Sequence, residues 1–149
     1  MRGFTLIELL LVITILGVVA GLSVPFLQTF QTSSDFQVYL SDMQAALRRA
    51  QSQAADGFRN DDWGVHFNDA TQTYTLFKGS DFVSRDQSFD QDFQYPQIFS
   101  LATDFSNQTV YFKSTGEPNA SGTITFLGPN SGQTGTLRVT AAGRIDLER

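Results

Sequence analysis

The chain has 149 residues, no cysteine, one histidine and a formal net charge of −5. That length allows one domain with a core of its own. The missing thiol excludes disulfides, thiolate metal sites and cysteine nucleophiles, and the acidic balance excludes a bulk attraction to nucleic acid or anionic lipid.

The first element is an apolar run from Phe4 to Leu27. Between Leu9 and Val24 only Thr14 and Ser23 are polar, and their hydroxyls can bond back to a helix. The run is long enough to cross a bilayer as a helix. A secretory signal would want a longer basic start, a shorter apolar stretch and an A-x-A-like exit. Here Arg2 is the only charged side chain before the run, and the exit reads LSVPFLQTFQ. Arg2 on the short side places the N-terminus in the cytoplasm and everything after Gln28 outside. Glu8 has no use in a plain anchor, because a carboxylate in hydrocarbon needs a partner. Cleavage between Gly3 and Phe4 would supply one. The new amine of Phe4 would lie one helical turn from Glu8, and the amine of one chain could meet Glu8 of its neighbour. Such a pair, buried in lipid or among helices, would fix register. Further along, Gly17 and Gly21 form G-x-x-x-G, a close-packing face for membrane helices. Pro25 removes a helical hydrogen bond and marks a kink.

Beyond Pro25 the pattern becomes amphipathic. Phe36, Tyr39, Leu40, Met43, Leu47, Ala50 and Ala54 recur at threes and fours, one apolar stripe of a helix. Asp56-Gly57 is its stop, and Arg48 and Arg49 near its C-terminal end read either as solvated face or as partners of the negative end of its dipole. Strands follow at 63–67, 73–78, 89–95, 109–113, 123–127, 136–139 and 144–147, separated by turn material such as STGEPNASG, GPNSGQTG and AAG. Gly116 and Gly143 serve turns with unusual backbone angles. The expected class is α+β, a long helix packed on antiparallel sheet.

The stretch G-F-T-L-I-E-L-L, Gly3 to Leu10, resembles the prepilin peptidase site of type IV pilins and pseudopilins: a small residue before the cut, Phe4 after it, Glu8 at the fifth mature position, then an apolar run. The resemblance implies that a membrane aspartic peptidase cuts between Gly3 and Phe4 and methylates the Phe4 amine. It also implies that Glu8 pairs with the N-terminus of an adjacent subunit during assembly. Gly17 and Pro25 sit where that family commonly has them. A second resemblance lies in F-K-S-T-G-E-P (Phe112 to Pro118), G-T-I-T-F (Gly122 to Phe126) and G-T-L-R-V-T-A-A-G-R-I (Gly135 to Ile145), which look like the C-terminal region of the GspH/FimT group of minor pseudopilins and minor pilins. It implies a β-sandwich-like globular part. The resulting organisation is a leader at 1–3, a transmembrane and assembly helix at 4–28, an amphipathic half at 29–56 and a β-rich domain at 57–149.

Little in the chain points to catalysis. His66, in a strand beside Val65 and Phe67, reads as structural or solvated. No nucleophile elbow, P-loop or dinucleotide fingerprint occurs. Asp61, Asp62, Asp81, Asp86, Asp90 and Asp92 match no EF-hand spacing. Arg138, Arg144 and Arg149, at the end where some FimT-like pilins carry a DNA-binding patch, are diluted by Asp146 and Glu148, whereas DNA demands clustered positive charge. The expectation is therefore a non-catalytic minor pseudopilin or minor pilin without cofactor or metal. Its partners would be other pilin-like subunits, the prepilin peptidase and an inner-membrane assembly platform, and its place at or near a filament tip, aiding assembly initiation. The other readings are a membrane-anchored extracytoplasmic binding module and a DNA-uptake minor pilin.

Overall fold

A computed structural model describes residues 4–58, 61–129 and 132–148, without the side chains of residues 22–30. Helix α1 runs from Leu6 to Ala55. Eight strands follow: β1 (Trp63–Asn68), β2 (Thr73–Lys78), β3 (Asp86–Gln94), β4 (Ser100–Thr103), β5 (Thr109–Phe112), β6 (Gly122–Leu127), β7 (Thr134–Val139) and β8 (Ile145–Glu148). They form two antiparallel four-stranded sheets, β3-β2-β1-β5 and β4-β6-β7-β8. The chain divides into two compact units, Met1–Asp35 and Phe36–Arg149, so the last twenty residues of α1 belong to the same unit as the sheets.

Within the second unit one core takes residues from α1 and from both sheets. The stripe Phe36, Leu40, Met43, Leu47, Ala50 and Ala54 is buried, joined by Ala46, while Tyr39 is half-buried. Its spacing keeps these side chains on one helical face, and Val65, Phe67, Leu76, Ile124 and Leu137 complete the core from the strands. Near Phe36 the packing is aromatic. Its ring stacks on Phe126 at 5.3 Å and tilts against Phe99 at 6.0 Å, and Tyr95 meets Phe126 edge-on at 5.5 Å. Leu40 lies so close to Gly135 in β7 that a Cβ there would overlap it. Glycine therefore lets helix and strand approach at this point.

The helix ends where expected. Gly57 takes φ 62° and donates its N–H to the Ala54 carbonyl at 3.0 Å, a left-handed C-terminal turn. Arg48 and Arg49 are exposed, but they sit more than one turn before the end, and the last turn holds no basic residue. Dipole effects fade within one turn, so of the two readings of these arginines the solvated face is the one observed. Gly116 and Gly143 have φ 79° and 80°, and both carbonyls accept hydrogen bonds from Gln51 Nε2, at 2.9 and 2.7 Å. One helix amide thus ties the turn after β5 to the turn before β8.

One strand differs from the sequence reading. Strand β4 was not expected. SLAT is too short to alternate, and its one buried side chain is Leu101. It is held from outside by Asp69, whose Oδ1 accepts both the Leu101 N–H at 2.7 Å and the Tyr95 hydroxyl at 2.9 Å. Strands β1 and β2 are covered on both faces. Trp63, Val65, Phe67, Tyr74 and Leu76 enter the core, and on the other side Phe77 is buried too. Gly64 is required there, since a Cβ would stand 2.7 Å from Phe77 Cζ and 2.8 Å from the Val110 carbonyl.

Tyr74 and Tyr95 give the unit a defined alkaline limit. Their hydroxyls are held well above the ordinary phenol range. Burial is the first cause in both; Asp42 and Tyr39 add at Tyr74, and the hydrogen bond to Asp69 adds at Tyr95. The folded chain keeps both protons at a pH where the unfolded chain, with its phenols near about 10, releases them. Stability is therefore intact below about pH 10 and falls above it, by up to about 1.4 kcal/mol per pH unit for each tyrosine. Urea melts between pH 8 and 11 check this, and Tyr95→Phe should flatten the decline.

Candidate assembly site

The N-terminal unit places its chemistry at the start of α1. The Thr5 carbonyl accepts the Leu9 N–H at 3.2 Å, and the Thr5 hydroxyl accepts the Glu8 N–H at 3.3 Å. Thr5 is thus the N-cap, satisfying a backbone donor that the first turn would leave open. The T-x-x-E spacing of a capping box, Thr5 to Glu8, is the signal in the sequence that marks this cap. Glu8 lies in the first turn, where a carboxylate also suits the helix dipole. Capping occupies only its backbone N–H, so the carboxylate is left to act elsewhere.

Around this start the helix is apolar and open. Leu6 is 82% exposed, and Ile7, Leu9, Leu10, Leu11, Ile13, Ile15, Leu16, Val18 and Val19 are all exposed as well. Leu6, Leu9, Leu10, Ile13 and Thr14 line a shallow groove along the helix. The Thr14 hydroxyl donates to the Leu10 carbonyl at 2.8 Å, so this polar group is satisfied within its own helix. At Gly17 and Gly21 an added Cβ would meet nothing within 4 Å, and both glycines leave backbone accessible on the surface. Phe4 is exposed just before the helix. Gly3, and with it the expected cleavage junction, lies outside the described residues, as does the Pro25 side chain. The helix assignment continues through that position. Among the described residues no helix is long and apolar enough to cross a membrane. The side chains of 22–30, which complete the apolar run, are not among them.

Elsewhere the candidate residues are engaged in structure. His66 Nδ1 lies 2.9 Å from the Thr109 hydroxyl, and its ring stacks on Phe82 at 3.8 Å. The six aspartates are scattered. Arg85 Nε donates to both carboxylate oxygens of Asp90 at 2.8 and 3.0 Å, Asp92 accepts the Thr75 hydroxyl at 2.7 Å, and Asp61 pairs with Lys78 at 3.6 Å. Asp81 and Asp86 accept from Ser84 and Ser88. Arg138 pairs with Glu148 at 3.6 Å and Arg144 with Asp146 at 2.7 Å, so the acidic dilution expected at this end is made by direct contact.

Comparison with known proteins bears on both units. Residues 1–24 match the model of the prokaryotic N-terminal methylation motif. The architecture superimposes on the minor pseudopilin EpsH of the type 2 secretion system of Vibrio cholerae, with a TM-score of 0.60 and 12% identity over 76% of this chain and 96% of that one. It also superimposes on the type IV minor pilin FimU of Pseudomonas aeruginosa, with a TM-score of 0.64 and 15% identity over 78% and 90%. The chain has a pilin-like fold. No curated protein matches it in sequence. In this pilin-like fold the methylation motif covers Phe4, the Thr5 cap, Glu8, Gly17 and Gly21. The apolar, exposed start of α1 is therefore the segment that carries the motif.

Proposed function

We propose that the chain is a minor pseudopilin or minor pilin, a non-catalytic structural subunit of a type II secretion pseudopilus or a type IV pilus. The observation that carries this reading is the coincidence, in one chain, of a methylation motif at residues 1–24 with a pilin-like fold that superimposes over 76–78% of the chain. The apolar run from Phe4 to Leu27 inserts in the inner membrane with the N-terminus cytoplasmic, and the unit from Phe36 lies outside it. Prepilin peptidase cuts between Gly3 and Phe4 and methylates Phe4. The Glu8 carboxylate then pairs with the Phe4 amine of a neighbouring pilin-like subunit, while Gly17, Gly21 and Pro25 shape the helix for packing and the assembly platform drives insertion. A position at or near the tip, with a part in starting assembly, suits a GspH/FimT-like subunit. The alternative of a DNA-uptake pilin draws little support from Arg138 and Arg144, which already face acidic partners.

Deleting the gene in its own strain tests the reading. The expected result is loss of pilus assembly or of protein secretion, restored by the intact gene. Normal piliation and normal secretion in the deletion strain would overturn it.

A further inference from the structure

The face of β1 turned from the core carries a cavity of about 360 Å³ whose walls include His66, Asp81, Phe82, Asn107, Tyr111 and Asn119. That volume falls within the ~300–1,000 Å³ range of small-molecule sites. The β2–β3 loop forms one wall and is held firmly. Phe82 is stacked between His66 and the Arg85 guanidinium, at 3.8 and 3.7 Å, and meets Phe77 edge-on at 5.4 Å. Arg85 in turn grips Asp90 and donates to the Phe82 carbonyl at 2.6 Å.

Apart from the Asp81 carboxylate, the polar side chains of this cavity are neutral, and they have hydrogen-bonding capacity to spare. The Thr109 hydroxyl donates to the Asn107 carbonyl at 2.9 Å, so its contact with His66 requires the proton on Nδ1. Burial first, and the Arg85 charge second, hold His66 below the usual imidazole range. The ring is therefore neutral at pH 7, and Nε2 is an acceptor. Asn119 Oδ1 accepts the Tyr111 N–H at 3.0 Å, which leaves its two amide hydrogens as donors. Asn107 and Gln108 are consecutive non-glycine residues in the left-handed region, at φ 54° and 53°. Strained backbone of this kind persists where its surroundings fix it, here at the cavity wall. Among the described residues neither lysine nor arginine lines the cavity, and Asp81 does, so phosphate and other anions are disfavoured. A hydrocarbon would strand the amides.

We propose that this cavity binds a saccharide unit. A sugar hydroxyl both donates and accepts, which matches the amides of Asn107 and Asn119, the Asp81 carboxylate and the His66 acceptor. The apolar face of a pyranose ring needs an aromatic platform, and the half-buried Tyr111 of the cavity wall is the side chain that would supply it. The proposal concerns the globular unit alone and goes beyond filament assembly. Its failure would leave the assembly reading intact.

The test uses the full chain in lauryldimethylamine oxide micelles, a detergent without a sugar headgroup. Saturation-transfer NMR is recorded with maltotriose, with chitotriose and with an N-acetyl-Ser-Thr amide peptide. The expected result is saturable binding of at least one trisaccharide, weakened at least about tenfold by Tyr111→Ala and by Asn107→Gly. Asn107→Gly removes the amide while keeping a residue that accepts left-handed angles, so it decides the matter if Tyr111→Ala does not fold. Absence of binding by both trisaccharides would overturn the proposal, as would binding untouched by Asn107→Gly. Binding of the peptide alone would assign the cavity to a protein segment and equally overturn it.

Discussion

Replacing Glu8 with glutamine should abolish efficient incorporation of the chain beside other pilin-like subunits while leaving it folded and inserted. The substitution keeps size and removes charge. Its backbone N–H still donates to Thr5, the contact that caps the helix, so α1 should start at the same place. Insertion should also persist, because no charge is added to the apolar run. What is lost is the counterpart of a neighbour's Phe4 amine. Breaking a buried ion pair by removing one partner costs about 3–5 kcal/mol, equivalent to more than ~100-fold in association. The chain has no cysteine, so a Leu16→Cys background gives a clean crosslinking probe on an exposed part of the helix. Crosslinking to neighbouring subunits in whole membranes, compared at equal expression, should fall to near background in Glu8→Gln. Undiminished crosslinking would reduce Glu8 to a headgroup-level carboxylate in a simple anchor.

The second large effect concerns the globular unit. A chain lacking residues 1–28 should be soluble and folded, because the helix stripe from Phe36 onward shares one core with both sheets. In that background Leu47→Ala should destabilise by about 2–5 kcal/mol, the range for a buried leucine whose cavity closes only in part. Leu47 is fully buried between Met43 and Ala50 on the stripe, with no solvent-facing edge along which a truncated side chain could be tolerated. Urea denaturation gives the value directly. A change below about 0.5 kcal/mol, as on a surface, would mean that the helix is turned differently against the strands.

Much of this fold was legible because its signals are local. The stripe from Phe36 to Ala54 is a period of 3.6 that no other element produces, and every member but the half-buried Tyr39 is buried. Gly57, Gly116 and Gly143 stand where left-handed angles occur. The motif from Gly3 to Leu10 was legible as a set of residue types at fixed spacing, and the match over residues 1–24 agrees with it. The remainder depended on contacts distant in sequence. Strand β4 has four residues and one inward side chain, and a carboxylate more than thirty positions earlier, Asp69, holds it. The burial of Phe77 and the stacking of Phe82 on His66 come from a loop folding back over a sheet face that strict alternation would leave to solvent. Gln51, which binds two turn carbonyls far along the chain, reads in sequence as one more polar helix residue. At the candidate assembly site the cap at Thr5 is legible as the T-x-x-E spacing that ends at Glu8. The proposed pairing of Glu8 with a neighbour has no counterpart in one chain.

The central claim is that residues 1–24 act as a processed assembly segment, and the mass of the mature chain tests it most directly. Protein extracted from membranes of cells with active prepilin peptidase should lack Met1 to Gly3 and carry one methyl group on the Phe4 amine. Gly3→Trp should remain uncut and membrane-bound. A mature chain that retains Met1 to Gly3, or one cut elsewhere with an unmodified amine, would contradict it.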